Sequence, residues 1–168
     1  MNIIDFFVAQ LEREAAITRK TLAKVPEGKA DWKPHEKSMP MGYLTNLVAT
    51  MPGWIELAVL QDELDLNPPS GKKYQPEATP TTAALVQAHE NAVGKARAAL
   101  QGTTEAHLQT KWKLLVGGNV VQESPRYVVV ADTFTHLAHH RAQVGVYMRL
   151  NETAVPSVYG PSADDRSF

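Results

Sequence analysis

Four separate stretches of this 168-residue chain repeat apolar residues at intervals of three and four. Such a period places the apolar side chains on one face of a helix. The pattern predicts helices over about 3–25, 38–60, 80–100 and 125–150. Because each helix has an apolar face to bury and the connections between them are long, the sequence predicts an all-α fold, a four-helix bundle.

Proline and glycine mark the boundaries of these predicted helices. Pro52 and Gly53 interrupt the second apolar stripe, and a proline inside a helix removes one backbone donor, which predicts a kinked helix. Ser38 is the predicted N-cap of that helix. Thr79 followed by Pro80 has the residue types of a cap and a first helical position, so it predicts the start of the third helix.

Between the third and fourth predicted helices the pattern changes. Residues 112–116 and 120–122 are mainly apolar and β-branched, and Gly117, Gly118 and Asn119 separate them. Glycine adopts a positive φ at little cost, so this segment predicts a small β-hairpin.

The end of the chain predicts a different kind of segment. Residues 152–168 contain two prolines and a glycine, which favour an extended C-terminal tail with Asp164 and Asp165 in solvent. A chain of this length can bury roughly 70% of the surface that it exposes when unfolded. We therefore expect residues 1–168 to form a single domain.

The charge and composition exclude several classes of function. Seventeen Lys and Arg residues against 18 Asp and Glu give a formal net charge of −1, so neither nucleic acid nor an anionic membrane surface is an expected partner. No run of about 18 apolar residues predicts a membrane span, and no signal peptide is recognisable, which predicts a cytoplasmic protein. The chain has no Cys, so any catalytic thiol must come from another molecule.

Three of the six His residues lie within five positions of the last predicted helix. His136 and His140 are one helical turn apart, with Cβ atoms roughly 5–6 Å apart, so their imidazoles could converge on one metal ion. His139 points about 100° away from His140. The same spacing also occurs on ordinary solvated helices. A catalytic zinc site usually takes three protein ligands and a water molecule, so the pair alone is incomplete.

No residue of the other predicted helices is an evident third ligand. Glu12, Glu14, His35 and His89 are the open candidates, although a solvated charge or a loop contact is the commoner role of such residues. Arg141 is expected to pair with a carboxylate, and Gln143 to bond a neighbour on its own helix. Five aromatic residues could line a pocket, but aromatic residues of a bundle are usually part of its core, which is the expectation for them: Trp32, Trp54, Trp112, Tyr147 and Tyr159.

Four segments of the chain resemble the DinB family of small bacterial proteins: residues 31–39, 51–54, 136–143 and 155–164. The resemblance spans nearly the whole chain, and the His-rich helix with its proline-bearing tail is its most specific part. It implies a DinB-like four-helix bundle, often a homodimer, with a divalent metal ion held by one His of helix two and two His of helix four.

Carried onto this sequence, the two ligands of helix four are His136 and His140. The ligand of helix two falls on Leu47, which has no lone pair, or on Asn46 if the register differs by one residue. The resemblance therefore implies a site for zinc or nickel that is impaired, with the ion bound weakly or absent, because the third imidazole is missing.

The resemblance also implies an activity. Similar proteins include thiol-dependent transferases and isomerases, in which a metal ion lowers the pKa of a small thiol that then attacks an electrophilic substrate. A metal-assisted transferase or hydrolase-like enzyme is thus one hypothesis, with catalytic residues unknown. The other is a non-catalytic dimeric bundle that binds a small molecule or a protein partner.

Overall fold

The computed structural model describes residues 2–69, 71 and 81–167. The described chain is mostly helical and also contains a small three-stranded sheet, so the predicted all-α class is too narrow. In chain order the elements are α1 (Ile3–Leu22), α2 (Met41–Thr50), α3 (Gly53–Leu60), β1 (Glu63–Asp65), α4 (Thr82–Gly102), α5 (Glu105–Leu108), β2 (Lys111–Val116), β3 (Asn119–Pro125) and α6 (Arg126–Leu150).

The helix α2 begins later than the sequence suggested. Its N-cap is Pro40, so the prediction of Ser38 as the cap is wrong. The preceding loop explains the difference, because the Met41 N–H donates to the Trp32 carbonyl at 2.8 Å and the Gly42 N–H donates to that of Ala30 at 2.8 Å. These bonds satisfy backbone donors that a side-chain cap would otherwise serve.

The predicted kink in the second helix is confirmed as a break between α2 and α3. Met51 and Pro52 separate the two helices, and Pro52 has no N–H to continue the helical pattern. The Trp54 N–H donates instead to the Met51 carbonyl at 2.9 Å, which closes a tight turn. The helical pattern is therefore interrupted at these two residues, although both keep right-handed helical backbone angles.

The structure describes the chain around the start of α4 only from residue 81 onward. The predicted cap at Thr79 and Pro80 lies outside the described residues. As described, the helix begins at Thr82, with Thr81 as its N-cap and the Thr81 side chain accepting from the Ala84 N–H at 3.1 Å. The end of α1 also differs from the prediction: this helix ends at Leu22, whereas the sequence pattern placed its end near residue 25.

The predicted hairpin is confirmed, and the structure adds a third strand to it. β2 and β3 pair antiparallel across Gly117 and Gly118, whose φ angles are 61° and 79°. β1 pairs parallel with β2, an arrangement that local periodicity did not reveal. The Asp65 carboxylate connects the end of β1 to the hairpin turn, since it accepts from the Gly117 and Gly118 N–H groups at 3.0 and 2.7 Å.

The helices pack through the faces that the sequence pattern identified. α1 contacts α4 and α6, while α2 and α3 contact α4 and α6 as well. The apolar stripe predicted on α6 is buried throughout: Phe134, Leu137, Val144 and Met148. The strands of the sheet contact α3 and α6.

A buried arginine connects the sheet to the helices. The Arg126 guanidinium, at the start of α6, donates to the carbonyls of Ala58 and Gln61 and to the Thr110 hydroxyl, and it pairs with Asp62. The last carbonyls of a helix have no partner within the helix. Arg126 therefore satisfies the end of α3 while it holds the chain segments that lead into β1 and β2.

The tail is extended, as predicted, but its two aspartates do more than face solvent. Asp164 pairs with Arg149, and Asp165 accepts from the Ser157 N–H at 3.0 Å. Hydrogen bonds, first of all from the Ser167 hydroxyl, hold the pKa of Asp165 well below its usual value. Among the described helices, none is long and apolar enough to span a bilayer.

Candidate functional site: the histidine pair and its cavity

The imidazoles of His136 and His140 face each other on consecutive turns of α6. Their Nε2 atoms are 2.9 Å apart, and the ring centroids are 4.7 Å apart. His140 is buried, whereas His136 is exposed on one side. The two rings therefore lie within hydrogen-bond distance of each other, and their role as metal ligands stays a prediction.

A chain of hydrogen bonds runs from this pair along α6. The Gln143 amide oxygen accepts from His140 Nδ1 at 2.7 Å, and its amide nitrogen donates to His139 Nε2 at 3.1 Å. A neutral His140 that donates through Nδ1 has an unprotonated Nε2, so His136 is the donor within the pair. Gln143 thus bonds neighbours on its own helix, as predicted, and it fixes the tautomer of His140.

Partial desolvation and the neighbouring rings both act against a positive charge on His136. Desolvation is the larger cause and the neighbouring imidazoles of His140 and His139 the smaller, and together they lower the pKa of His136 below its ordinary value of 6.5. The ring is therefore neutral at pH 7. A neutral imidazole can accept a hydrogen bond or bind a metal ion, whereas an imidazolium can do neither.

His136 lies in the wall of a cavity of about 450 Å³ between the helices and the sheet. The Trp54 ring of α3 contacts the imidazole edge to face, at 5.2 Å between centroids. The walls come from α2 and α3, from α6 and from all three strands, and the lining residues are Tyr43, Leu47, Trp54, Leu57, Leu64, Leu66, Trp112, Leu114, Gln122, Val129, Asp132, Thr133 and His136.

Leu47 is the position onto which the family resemblance carries the third ligand. Its side chain is buried and lines the same cavity as His136. Asn46, the other possible counterpart, is buried but does not line the cavity. Of the two possible counterparts, Leu47 is therefore the one that shares the cavity with His136, and its side chain is aliphatic.

The residues present do not fit a complete protein site for a metal ion. Two imidazole nitrogens 2.9 Å apart can both contact one ion at the roughly 2.0–2.1 Å that zinc prefers. Within residues 2–69, 71 and 81–167, however, no three His, Cys, Asp or Glu side chains come together in a way that could hold an ion. A divalent ion would have to take its remaining ligands from water or from a bound molecule.

His89 is one of the four candidate third ligands, and both of its ring nitrogens contact groups outside the histidine pair. His89 is fully buried, with Nδ1 3.3 Å from the Ala49 carbonyl and Nε2 3.2 Å from that of Ala15. Desolvation, the largest influence, lowers its pKa, so the ring is neutral and donates to one of the two carbonyls. His89 thus links α4 to α1 and α2 and is not available to the pair.

The remaining candidates are also engaged elsewhere. Glu12 forms an exposed ion pair with Arg97, and Glu14 forms a buried one with Arg141. His35 lies in the loop before α2 and accepts from a backbone N–H of that loop. None of these side chains lines the cavity of His136.

Arg141 pairs with a carboxylate, as the sequence predicted. It donates to Glu14 at 2.7 Å and to the Thr18 hydroxyl at 2.8 Å, and the Tyr159 hydroxyl donates to the same Glu14 oxygen at 2.9 Å. Arg141 and Glu14 are both almost fully buried, but Tyr159 is largely exposed, so the expectation of a core position is wrong for Tyr159. This cluster joins α1, α6 and the tail outside the His136 cavity.

Asp132 and Trp112 are among the cavity residues that were not identified as functional from the sequence. Asp132 lies one turn before His136 on α6, and the spacing Asp132, His136, His140 at intervals of four could have indicated a shared face. Trp112 was assigned to the core, and it is buried, but it also lines the cavity. No sequence pattern marks that second property, because it depends on how the sheet meets the helices.

The chain is similar to known proteins over almost its whole length. The model of the DinB family matches residues 2–166. The chain belongs to the DinB family. Among solved structures, a DinB-like protein from Bacillus cereus ATCC 10987 has a TM-score of 0.69 at 18% identity, covering 91% of this chain and 95% of that one. A DinB-like protein from Bacillus subtilis has a TM-score of 0.66 at 17% identity, covering 95% and 99%.

These similarities establish the family and the fold of this DinB member. No curated protein sequence is significantly similar to the chain. Identities below one fifth do not carry an activity from one protein to another. The function must therefore be argued from the cavity and the residues that form it.

Proposed function

We propose that this DinB protein binds a small organic molecule in the cavity beside His136. The observation that carries the proposal is the cavity itself, whose 450 Å³ lies within the roughly 300–1,000 Å³ typical of small-molecule sites. Most of its lining is aliphatic or aromatic, and a few polar groups stand among these side chains: Gln122, Asp132, Thr133 and His136. Such a composition favours an apolar ligand that a few hydrogen bonds orient.

The side chains around His136 support binding of an organic ligand, rather than metal catalysis, as the primary role of the cavity. The His136 and His140 nitrogens already satisfy each other through the bond between their Nε2 atoms. Leu47 adds an apolar surface to the same cavity, which stabilises an apolar ligand and contributes no ligand for an ion. His136 is thus a polar group in the wall of a mainly apolar site, and His140 supports it from behind the wall through their hydrogen bond.

Replacing Leu57 with tryptophan is expected to weaken binding of a neutral naphthalene probe such as prodan at least tenfold. Leu57 is half-buried and lines the cavity, so the larger indole would occupy space that the probe needs. Probe affinity is measured by fluorescence titration, and circular dichroism checks that the helices are retained.

Leu60→Trp is the matched control for this test. Leu60 lies on the same helix, is 66% exposed and does not line the cavity. The control should bind prodan within about twofold of the wild type. If both variants lose the probe equally, or if the wild type does not bind it, the cavity is not a ligand site.

A second function is favoured by one observation, the 2.9 Å separation of two imidazole nitrogens that can share an ion. It is a thiol-dependent transferase or hydrolase-like activity, in which a divalent ion would lower the pKa of an incoming thiol. His136 and His140 would hold the ion, and Gln143 would orient His140 through its Nδ1. The remaining ligands would come from the substrate.

Chelation separates the two functions. If the protein binds an organic ligand without a metal ion, the melting temperature of untagged protein should change by less than about 1 °C on addition of a chelator. A bound ion that contacts only the folded state would instead raise the melting temperature, and its removal would lower it by several degrees. Elemental analysis after zinc-replete growth should then find close to one ion per chain.

We also propose that the helices of this protein form a four-helix bundle. α1, the broken helix of α2 and α3, α4 and α6 supply its four long segments, and the cavity lies where the bundle meets the sheet. The homodimer that family resemblance implies remains a prediction, to be checked by sedimentation at micromolar concentration.

A further inference from the structure

Asp132 is a carboxylate in the wall of the cavity beside His136. Val129, Asp132, Thr133 and His136 all line this cavity, and their spacing of three and four places them on one face of α6. Within residues 2–69, 71 and 81–167, no group donates a hydrogen bond to the Asp132 side chain or forms an ion pair with it. The carboxylate therefore stands on the cavity face of α6 with its charge available to a ligand.

The rest of the described lining supplies no Lys or Arg to balance this charge, and Asp132 is its one acidic residue. Lys113 of β2 is adjacent in sequence to the lining residue Leu114, but neighbouring residues of a strand point to opposite faces of the sheet. A charge at the edge of a mainly apolar cavity is screened less than one in bulk water. A ligand that carries a positive charge would therefore supply the partner that the carboxylate lacks.

Aromatic side chains of the same cavity also suit a cation. Tyr43 of α2 and Trp54 of α3 line it, and each lies one turn from a leucine of its own helix that lines it as well. The Trp54 ring centroid is 5.2 Å from that of His136, which is one turn from Asp132, so ring and carboxylate both lie next to the same side chain. Aromatic rings attract cations, and quaternary ammonium groups are recognised in this way.

From these observations we propose that the ligand of this cavity is an organic cation, with an aliphatic or aromatic body and a quaternary ammonium or protonated amine group that pairs with Asp132. This deepens the proposed function and rests on it. The leucines contact the apolar body, and the cationic nitrogen lies beside Asp132, whose side chain is exposed at the cavity wall. The nitrogen thus stays partly hydrated, which avoids the large desolvation cost of a fully buried ion pair.

Two probes of the same shape and different charge test the inference. Both are derivatives of prodan, one with a trimethylammonium group in place of the dimethylamino group and the other with a neutral tert-butyl group there. Their dissociation constants are measured by displacement of bound prodan. Asp132→Asn keeps the size of the side chain and removes its charge, so it should weaken binding of the cationic probe by about threefold to fivefold. The neutral probe should stay within about twofold of its wild-type affinity.

Salt provides a second measurement, which needs no variant. Dissolved ions screen an ion pair that is open to solvent, so raising NaCl from about 20 to about 500 mM should weaken binding of the cationic probe to the wild type by about threefold. The affinity of the neutral probe should change by less than about twofold, because it has no charge to screen.

Glu63→Gln is the matched control for Asp132→Asn. Glu63 is exposed and adjacent to the lining residue Leu64, but it does not line the cavity itself. The substitution removes the same formal charge from the protein. It should leave the affinities for both probes within about twofold of the wild type.

The outcomes distinguish this inference from the proposal on which it rests. If prodan does not bind the wild type, the ligand site itself is refuted. If prodan and the neutral probe bind but the cationic probe does not, or if Asp132→Asn leaves the ratio of the two affinities unchanged, only the cationic ligand is wrong. An equal loss in Glu63→Gln would overturn it as well, because the cause would then be the overall charge of the protein. Should Asp132→Asn not fold, a cationic probe whose binding to the wild type is independent of salt would overturn the inference by itself.

Discussion

Replacing Arg141 with methionine is expected to lower the free energy of unfolding by about 3–5 kcal/mol, because it leaves a buried carboxylate without its cation. The side chains of Arg141 and Glu14 are 1% and 3% exposed, and their atoms are 2.7 Å apart. Thr18 would lose a hydrogen-bond donor at the same time. Urea denaturation with linear extrapolation measures the loss.

Two further variants identify the cause of this loss. Arg97→Met removes an exposed ion pair with Glu12, whose side chains are 39% and 49% exposed, and should change the free energy of unfolding by less than about 1 kcal/mol. Glu14→Leu combined with Arg141→Met removes both buried charges and should be markedly more stable than Arg141→Met alone. If Arg141→Met is no more harmful than Arg97→Met, the buried pair does not hold α1 against α6.

Replacing Leu47 with histidine is expected to raise the affinity for zinc or nickel at least tenfold. The new imidazole would enter the cavity that His136 already lines and would complete a set of three nitrogen ligands with His140. Three protein ligands with one open position are the usual arrangement of a catalytic zinc site. Isothermal titration calorimetry on untagged protein measures the affinities of both forms.

Asn46→His is the control for register. Asn46 is adjacent in sequence and buried, but it does not line the cavity, so a histidine there should not raise metal affinity. A gain at residue 46 and none at residue 47 would show that the position opposite the histidine pair has been assigned incorrectly. The absence of any gain at residue 47 would mean that the imidazoles cannot converge on one ion.

Local sequence patterns were sufficient to predict much of the fold. The stripe of α6, the break at Pro52 and the hairpin around Gly117 and Gly118 each depend on residues a few positions apart, and period and turn chemistry report such features directly. The family could also be recognised in this way, since its motifs are contiguous. The cap at Ser38 was misjudged because the bonds that start α2 come from the loop at Ala30 and Trp32.

Features that join distant segments were not predictable in the same way. β1 pairs with β2 although Glu63 and its partner Lys113 are 50 positions apart, and three residues are too short to show a period. The same holds for His89, whose ring reaches carbonyls of two other helices. Such contacts are decided by which faces meet on folding, and residue types at one position do not encode them.

The same distinction between local and long-range features applies to the candidate site. The sequence by itself determined that His136 and His140 share one face of a helix and that the position matching the family's third ligand is a leucine, because both facts follow from helical spacing and residue identity. Only the tertiary structure decided that this leucine and Trp112 border one cavity with His136. A cavity is the space left between packed elements, so it exists only when helices and sheet are brought together.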